Sequence, residues 1–391
     1  MTSSEAFRVV VLGGGYAGLT AAARIGEAGT ATSLTLVDAK TEFVERIRLH
    51  EIAAGTEPRA LPYAPFMAER GACFLQGRAV AIDPEARTVS VDGTDGAPHT
   101  LPYDVLVYAP GSRTVGDAVP GAAEHAAALD DVAGSRDLGG KLGPGRTVLI
   151  VGGGLTAIEA ACEFGERIPG LRIVLAPGRT FAPSGDVGGL SDAGFRHVEA
   201  TLGRLGVEVR TGARVTALRK DAATLEDGTE IPFDACLWAA GFEVPALARE
   251  AGIAVNERGE VLTDPQLRSV SHPEIVAVGD AAHVIADPGG KCRMSCAAGR
   301  PMGELAARTV AGLAGAGAHD PFRFSYAFRC VSLGRDDGLI QFVDGMDRPV
   351  EQVWTGARAA RWKEYICRRT LAGIGLDTTV GPPPDTPPQI S

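Results

Sequence analysis

Three kinds of residue in this 391-residue chain have types and spacings that can do chemistry. Gly13, Gly15 and Gly18 are spaced as a phosphate cradle: the first lets the chain turn sharply, the second removes the Cβ that would block a pyrophosphate, and the third lets helix and strand pack closely. Asp38 follows near the roughly 20-residue offset of a carboxylate that hydrogen-bonds a ribose hydroxyl. The run Glu45, Arg46, Ile47, Arg48, Leu49, His50 concentrates charge. Its arginines either bind an anionic ligand or pair with Glu42, Glu45 or Glu51 on the surface, and His50 can protonate a substrate. The cysteines are scattered. Cys292 and Cys296 are spaced to share one helical face, but buried free thiols are the commoner state of such residues, and no metal-ligand set is expected.

A cradle needs a strand before it and a helix after it. Val9 to Leu12 supply the strand, an Ala-rich segment the helix, and a second apolar strand ends in Asp38, so that the helix N-terminus can present free N–H groups to phosphates. The pattern then returns. Residues 146–151 are an apolar strand, Gly152 to Gly154 form the turn, Ala157 stands where Gly18 stood, and a helix with Glu159 and Glu163 leads to a strand at 171–176. Residues 71–82 and 88–91 read as short strands, 92–96 as a turn, 101–108 as one apolar strand, and 215–218 with 223–226 as a hairpin.

The stretch EDGTEIPFDACLWAAG mirrors VDGTDGAPHTLPYDVLVYAPG, so the chain holds two copies of one nucleotide-binding module and two dinucleotides are expected. A third strand, 275–278, ends in Gly279 and Asp280 before a helix-forming stretch, where the carboxylate can reach a polar cofactor chain. The second module's strand ends in Pro177, Gly178 and Arg179 without a carboxylate. Arg179 suits a 2′-phosphate, which favours NADPH over NADH.

A formal charge of −10 argues against nucleic acid. The polar opening leaves no room for a signal peptide, no apolar run of about 18 residues is present, and the odd cysteine count fits a reducing cytoplasm.

The GGGYAG turn with Asp38, the YDVLVYAPGS and FDACLWAAGF strands, the GGGLTA turn and the EIVAVGDAA strand resemble, in order, the two-dinucleotide flavoproteins of the pyridine nucleotide-disulfide oxidoreductase superfamily. The tail from FSYAFRC onward resembles that of type II NADH dehydrogenases, which pass electrons to quinone. The resemblance implies an α/β fold with two Rossmann-like domains: residues 1–112 and 245–321 for FAD and 113–244 for NAD(P)H, followed by a small α+β region at 322–380 and a proline-rich tail at 381–391. It implies FAD at Gly13, Gly15, Tyr16, Ala17, Gly18, Asp38, Ala39, Lys40, Arg48, Gly111, Gly279 and Asp280. NADH or NADPH is implied at Gly152, Gly154, Arg179 and Gly241, and Glu159 falls where the family places a carboxylate near both rings.

The acceptor is then quinone-like or aromatic, with Glu159, Arg48 and His50 as candidate catalytic groups. Two departures stand out: the stretch after GDAA lacks the family's glutamine, and the loop after Asp38 is charged. Two alternatives stay open, a soluble flavin oxidoreductase acting on a small aromatic or anionic metabolite and a non-catalytic flavin-binding docking protein. Residues 355–371, basic with Trp362, Tyr365 and Ile366 at helical spacing, either lie on the cytoplasmic face of a membrane or pack on the flavin domain. A homodimer is an allowed assembly.

Overall fold

Val9, Val10, Val11 and Leu12 are each no more than 3% exposed, which places β1 (Arg8–Leu12) in the middle of a sheet. The structure, a computed structural model, describes residues 7–31, 33–94, 96–116, 119–182, 189–212 and 214–387. Residues 1–6, Asp95 in the expected turn, 117–118 and the end of the proline-rich tail at 388–391 lie outside them.

After β1 come α1 (Tyr16–Ala28), β2 (Ser33–Asp38), α2 (Leu49–Ala53), β3 (Cys73–Asp83), β4 (Thr88–Gly93), β5 (Pro98–Pro102) and β6 (Val105–Tyr108). The second copy follows as β7 (Thr147–Val151), α3 (Leu155–Arg167), β8 (Arg172–Gly178), α4 (Asp192–Arg204), β9 (Glu208–Thr211) and β10 (Ala235–Trp238). The chain then returns to the first sheet with β11 (Ile275–Ala277) and α5 (Cys296–Ala311), and ends in β12 (Phe328–Ser332), β13 (Gly338–Val343), β14 (Pro349–Thr355) and α6 (Gly356–Ile374).

The first sheet runs β11-β6-β1-β2-β3-β4-β5, parallel from β11 to β3 and antiparallel beyond. The second runs β9-β8-β7-β10, all parallel, with a separate antiparallel hairpin sheet at 215–232. In both, a parallel sheet is continued or accompanied by an antiparallel insertion, which is the duplicated architecture expected of the repeat.

Two elements differ from the sequence reading. Residues 101–108 are not one strand: β5 pairs with β4 while β6 pairs with β1, and Asp104 between them accepts from the backbone N–H of Arg8 at 2.7 Å and from its guanidinium at 3.0 Å. No long helix follows Asp280 directly. A single 3-10 turn (Gly279–Ala281) gives way to short bridging strands, and α5 begins only at Cys296, capped by Ser295. Cys292 therefore precedes the helix, and the two thiols do not share a helical face.

The C-terminal sheet β12-β13-β14 is antiparallel and is covered by α6. Trp362 is 4% exposed and meets the rings of Trp354 and Phe328 edge-on at 5.4 and 6.1 Å. The aromatic stripe that would suit a membrane thus faces inward. Of its basic residues, Arg358 lies over the Trp354 ring and pairs with Asp385, and Arg368 reaches Asp377 and Thr379, while Arg361 and Arg369 stay exposed. No helix of the described residues is long and apolar enough to cross a membrane.

Candidate active site

The two glycine turns are built alike, and each glycine has a separate physical reason. Gly13 has φ +96° and a Cβ there would collide with the Ala109 carbonyl; Gly152, at φ +132°, is closed off in the same way by Ala239. Gly18 faces the Gly13 carbonyl, so α1 sits directly on the turn. Gly15 and Gly154 are different: around each, nothing lies within 4 Å of where a Cβ would be. Both are helix N-caps in extended conformation, and neither helix has a capping side chain or an acid in its first turn. Two uncapped helix N-termini therefore face open space, the arrangement that suits a pyrophosphate.

Asp38, at the end of β2, accepts from Gly14 N–H at 2.7 Å and Lys40 N–H at 2.8 Å. Its carboxylate is thereby fixed beside the first cradle. Lys40 turns its ammonium to the Asp130 carbonyl at 3.3 Å, and Ala39, exposed, accepts from Gln76.

Beside the first turn lies a cavity of about 250 Å³, which the second module lines with Thr156 and Glu159 of α3 and the end of β10. Gly15, Tyr16 and Ala17 line it from the start of α1, Gly111 and Ser112 from the loop after β6, Gly279 and Asp280 from the turn after β11. Glu159 comes from α3 and His50 from α2; Cys296 opens α5 at its edge. Asp280 accepts from the Ser112 hydroxyl at 2.7 Å. Arg46 donates to the Ser112 carbonyl at 2.8 Å and to Asp130 at 2.9 Å, and Asp130 also accepts from the Thr114 N–H at 3.0 Å. Arg46, Ser112 and Asp130 form one polar wall that the sequence alone did not link. Gly241, with φ +79°, lies where Val115 N–H donates to its carbonyl, tying the two inter-module strands together.

Glu159 accepts from Ser332 N–H at 2.9 Å and from Lys363 Nζ at 2.9 Å, with side-chain exposures of only 13% and 15% for the acid and the lysine. Burial works to raise the Glu159 carboxyl, but the Lys363 ammonium, His50 and the Ser332 N–H outweigh it and hold it below the usual range. Burial likewise disfavours the Lys363 ammonium, yet Glu159 and the neighbouring thiols keep its pKa above the usual value. The pair is ionised. From the sequence Lys363 reads only as one of the basic residues of 355–371, although its site role left a trace: Ala359, Cys367 and Leu371 lie at i−4, i+4 and i+8 from it on a buried helical stripe, where a lysine is out of place unless paired.

Two expected residues lie elsewhere. Arg48 does not reach the cavity; its guanidinium is held by Glu45 at 3.0 Å, Glu51 at 3.2 Å and Glu364 at 2.8 Å, and it faces a second cavity. Arg179 is exposed and paired with Glu226 through two hydrogen bonds of 2.6 and 3.1 Å, so a 2′-phosphate would have to displace a carboxylate. The thiols, scattered in sequence, partly converge: Cys330 gives its carbonyl to Lys363 at 3.2 Å, and Cys367 and Cys296 lie within electrostatic reach of the same ammonium. Burial pushes the Cys330 and Cys367 thiols up to about 12, so they are uncharged at neutral pH, and every described cysteine is free.

Residues 7–302 match the family model described as pyridine nucleotide-disulphide oxidoreductase. The chain belongs to that family. An NADH dehydrogenase-like protein of Mycobacterium tuberculosis is 33% identical over 326 residues, covering 78% of this chain and 80% of the relative. A type II NADH:quinone oxidoreductase of Staphylococcus aureus is 26% identical and covers 94% and 97% of the two chains. Among solved structures, the sulfide:quinone oxidoreductase of Aquifex aeolicus superposes with a TM-score of 0.79 at 18% identity, over 95% of this chain and 92% of the other, a likeness of fold.

This member of the pyridine nucleotide-disulphide oxidoreductases is an FAD-dependent enzyme that uses NAD(P)H. The residues present fit two dinucleotides: both cradles are open, Gly15 of the first lines the cavity, and Thr156 and Glu159, from the start of the helix that follows the second, line it from the other side. Lys363 comes from beyond the matched residues, so the C-terminal helix adds to the site something the family model does not contain.

Proposed function

We propose that the enzyme oxidises NADH and delivers the electrons to a quinone-like acceptor. In this reading residues up to 112 and 245–321 hold FAD, with Gly13, Gly15, Gly18 and Asp38 at its phosphates and ribose and Asp280 near its polar chain. Residues 113–244 hold the nicotinamide, with Gly152 and Gly154 under the pyrophosphate. Bound in its own module, FAD would supply the two-electron, hydride-accepting chemistry that links nicotinamide to acceptor.

The observation that carries the reading is the Glu159–Lys363 pair, whose carboxylate lines the cavity. A quinone gains negative charge on its oxygens as it is reduced, and an ammonium clamped behind a carboxylate stabilises that charge and holds a proton ready. Three donors are available on Lys363, of which Glu159 and Cys330 take two. The full-length likeness to a type II NADH:quinone oxidoreductase supports the same acceptor. Arg46, bound to Ser112 and Asp130, serves as wall rather than as a free anion receptor. With Arg179 already occupied by Glu226, the enzyme prefers NADH over NADPH.

The test is anaerobic reduction by each nicotinamide followed by reoxidation against menadione, a phenolic acid and ferricyanide. NADH is expected to reduce the flavin with a kcat/KM at least about tenfold above that of NADPH. Menadione is expected to reoxidise it and the phenolic acid not to. Reoxidation by ferricyanide alone would contradict the quinone reading.

A further inference from the structure

NADH, one proton and a quinone give NAD+ and a quinol, so each turnover of the reaction proposed above draws one proton from solvent in addition to the hydride. A site that excludes water from its redox partners needs a separate route for that proton.

Helix α2 divides two cavities. Its five residues are buried, and successive side chains on a helix point about 100° apart, as 3.6 residues per turn require. His50 accordingly lines the cavity that holds Glu159, whereas Glu51 lines the second cavity, of about 800 Å³, whose wall also includes Glu45, Arg48, Glu364 and Asp377. His50 is 3% exposed and its Nε2 has no hydrogen-bond partner, an uncommon state for a buried polar atom. It is met by Glu159 from α3 and by its neighbour Glu51, which favour its charged form, and by Lys363 from α6 and Arg335 from the turn between β12 and β13, which oppose it. Burial is the largest influence and keeps the imidazole neutral, below its usual range. Arg335 joins the two sides: it pairs with Glu51 at 3.1 Å and with Glu163 at 2.7 Å, one turn along α3 from Glu159. Burial pushes the Glu163 carboxyl up to about 7.

We propose that the second cavity is the proton inlet of this enzyme, and that Glu51 and His50 carry the proton through the α2 wall to the Glu159 and Lys363 pair beside the acceptor. This rests on the quinone reading given above. A proton from solvent in the second cavity forms an O–H bond on Glu51; that bond breaks as an N–H bond forms on one nitrogen of His50, the N–H bond on its other nitrogen breaks as Glu159 takes that proton, and the Glu159 O–H bond breaks as the O–H bond of the acceptor forms. No electrons move in the relay. A neutral imidazole within electrostatic reach of two carboxylates suits this exchange, because it can gain a proton on one nitrogen and release one from the other.

The experiment compares holoenzyme of wild type, His50→Gln, Glu51→Gln and Glu51→Asp in separate half-reactions. Reduction of the flavin by NADH, which needs no proton from solvent, is expected within about twofold of wild type in all four, whereas reoxidation by menadione falls about 100-fold in the His50 and Glu51→Gln variants, the usual worth of a positioned proton donor. Glu51→Asp keeps the carboxylate and recovers a large part of that loss. Reoxidation by ferricyanide, which takes up no proton, stays near the wild-type rate.

A second readout is independent of turnover: hydrogen–deuterium exchange at the His50 ring carbon, followed by mass spectrometry in the apoprotein, reports the imidazole titration. Loss of the Glu51 charge is expected to move that titration to lower pH. Wild-type reoxidation by menadione with no change in any variant overturns the inlet and leaves the quinone reading standing; failure of menadione to reoxidise wild type overturns the quinone reading first.

Discussion

At the scale of single residues, the site turns on a lysine that holds a carboxylate ionised where burial would protonate it. Replacing Lys363 by Met keeps the volume and removes the charge. Burial then prevails at Glu159, its pKa rises, and the acid limb of the pH–rate profile moves to higher pH by about 1–3 units, the usual effect of losing a close opposite charge. An unmoved acid limb in a folded Lys363→Met variant would show that Glu159 does not depend on this ammonium. Arg48 teaches the reverse lesson. Its type invited a ligand-binding role, but the partners that occupy it come both from its own turn, Glu45 and Glu51, and from Glu364 on α6.

At the scale of elements, the strand–turn–helix units divide their work between glycines that shape the turn and glycines that leave room. Gly15→Val and Gly154→Val place side chains in open space at ordinary backbone angles, so both variants are expected to fold with near-wild-type melting temperatures. The first then loses bound flavin, and the second keeps its flavin but binds NADH at least about tenfold more weakly. Gly13→Val, facing Ala109 from a positive φ, is expected to yield little folded protein. Visible absorbance, thermal unfolding and nicotinamide titration check all three; flavin retained at wild-type affinity by Gly15→Val would refute the cradle.

These turns were legible in the sequence because their chemistry is local, fixed within a few residues by backbone angle and Cβ clearance. The break at Asp104 was not, since it depends on Arg8 across the sheet, and neither was the short turn after Asp280, where bridging strands override a helix-forming composition. The Lys363 pairing and the gathering of Cys296, Cys330 and Cys367 needed the C-terminal helix to be folded back onto α3, a contact between residues some 200 positions apart.

At the scale of the whole molecule, a duplicated module accounts for the fold and a C-terminal addition accounts for what is particular about the site. The two sheets bring Gly15 of the first cradle and Thr156 and Glu159 of α3 to one cavity; α6 then backs it through Lys363, which pairs with Glu159, and lines the second cavity with Glu364, beside Asp377. The aromatic cluster of Phe328, Trp354 and Trp362 fixes α6 in that position. Everything rests on two coenzymes meeting in the first cavity. The most direct measurement is rapid anaerobic mixing of the flavin-loaded enzyme with NADH and with NADH carrying deuterium at the transferable position, following the visible absorbance of the flavin. The account predicts complete bleaching in a single turnover, slowed by the deuterium. Flavin that stays oxidised, or bleaching indifferent to the isotope and slower than turnover, would contradict it.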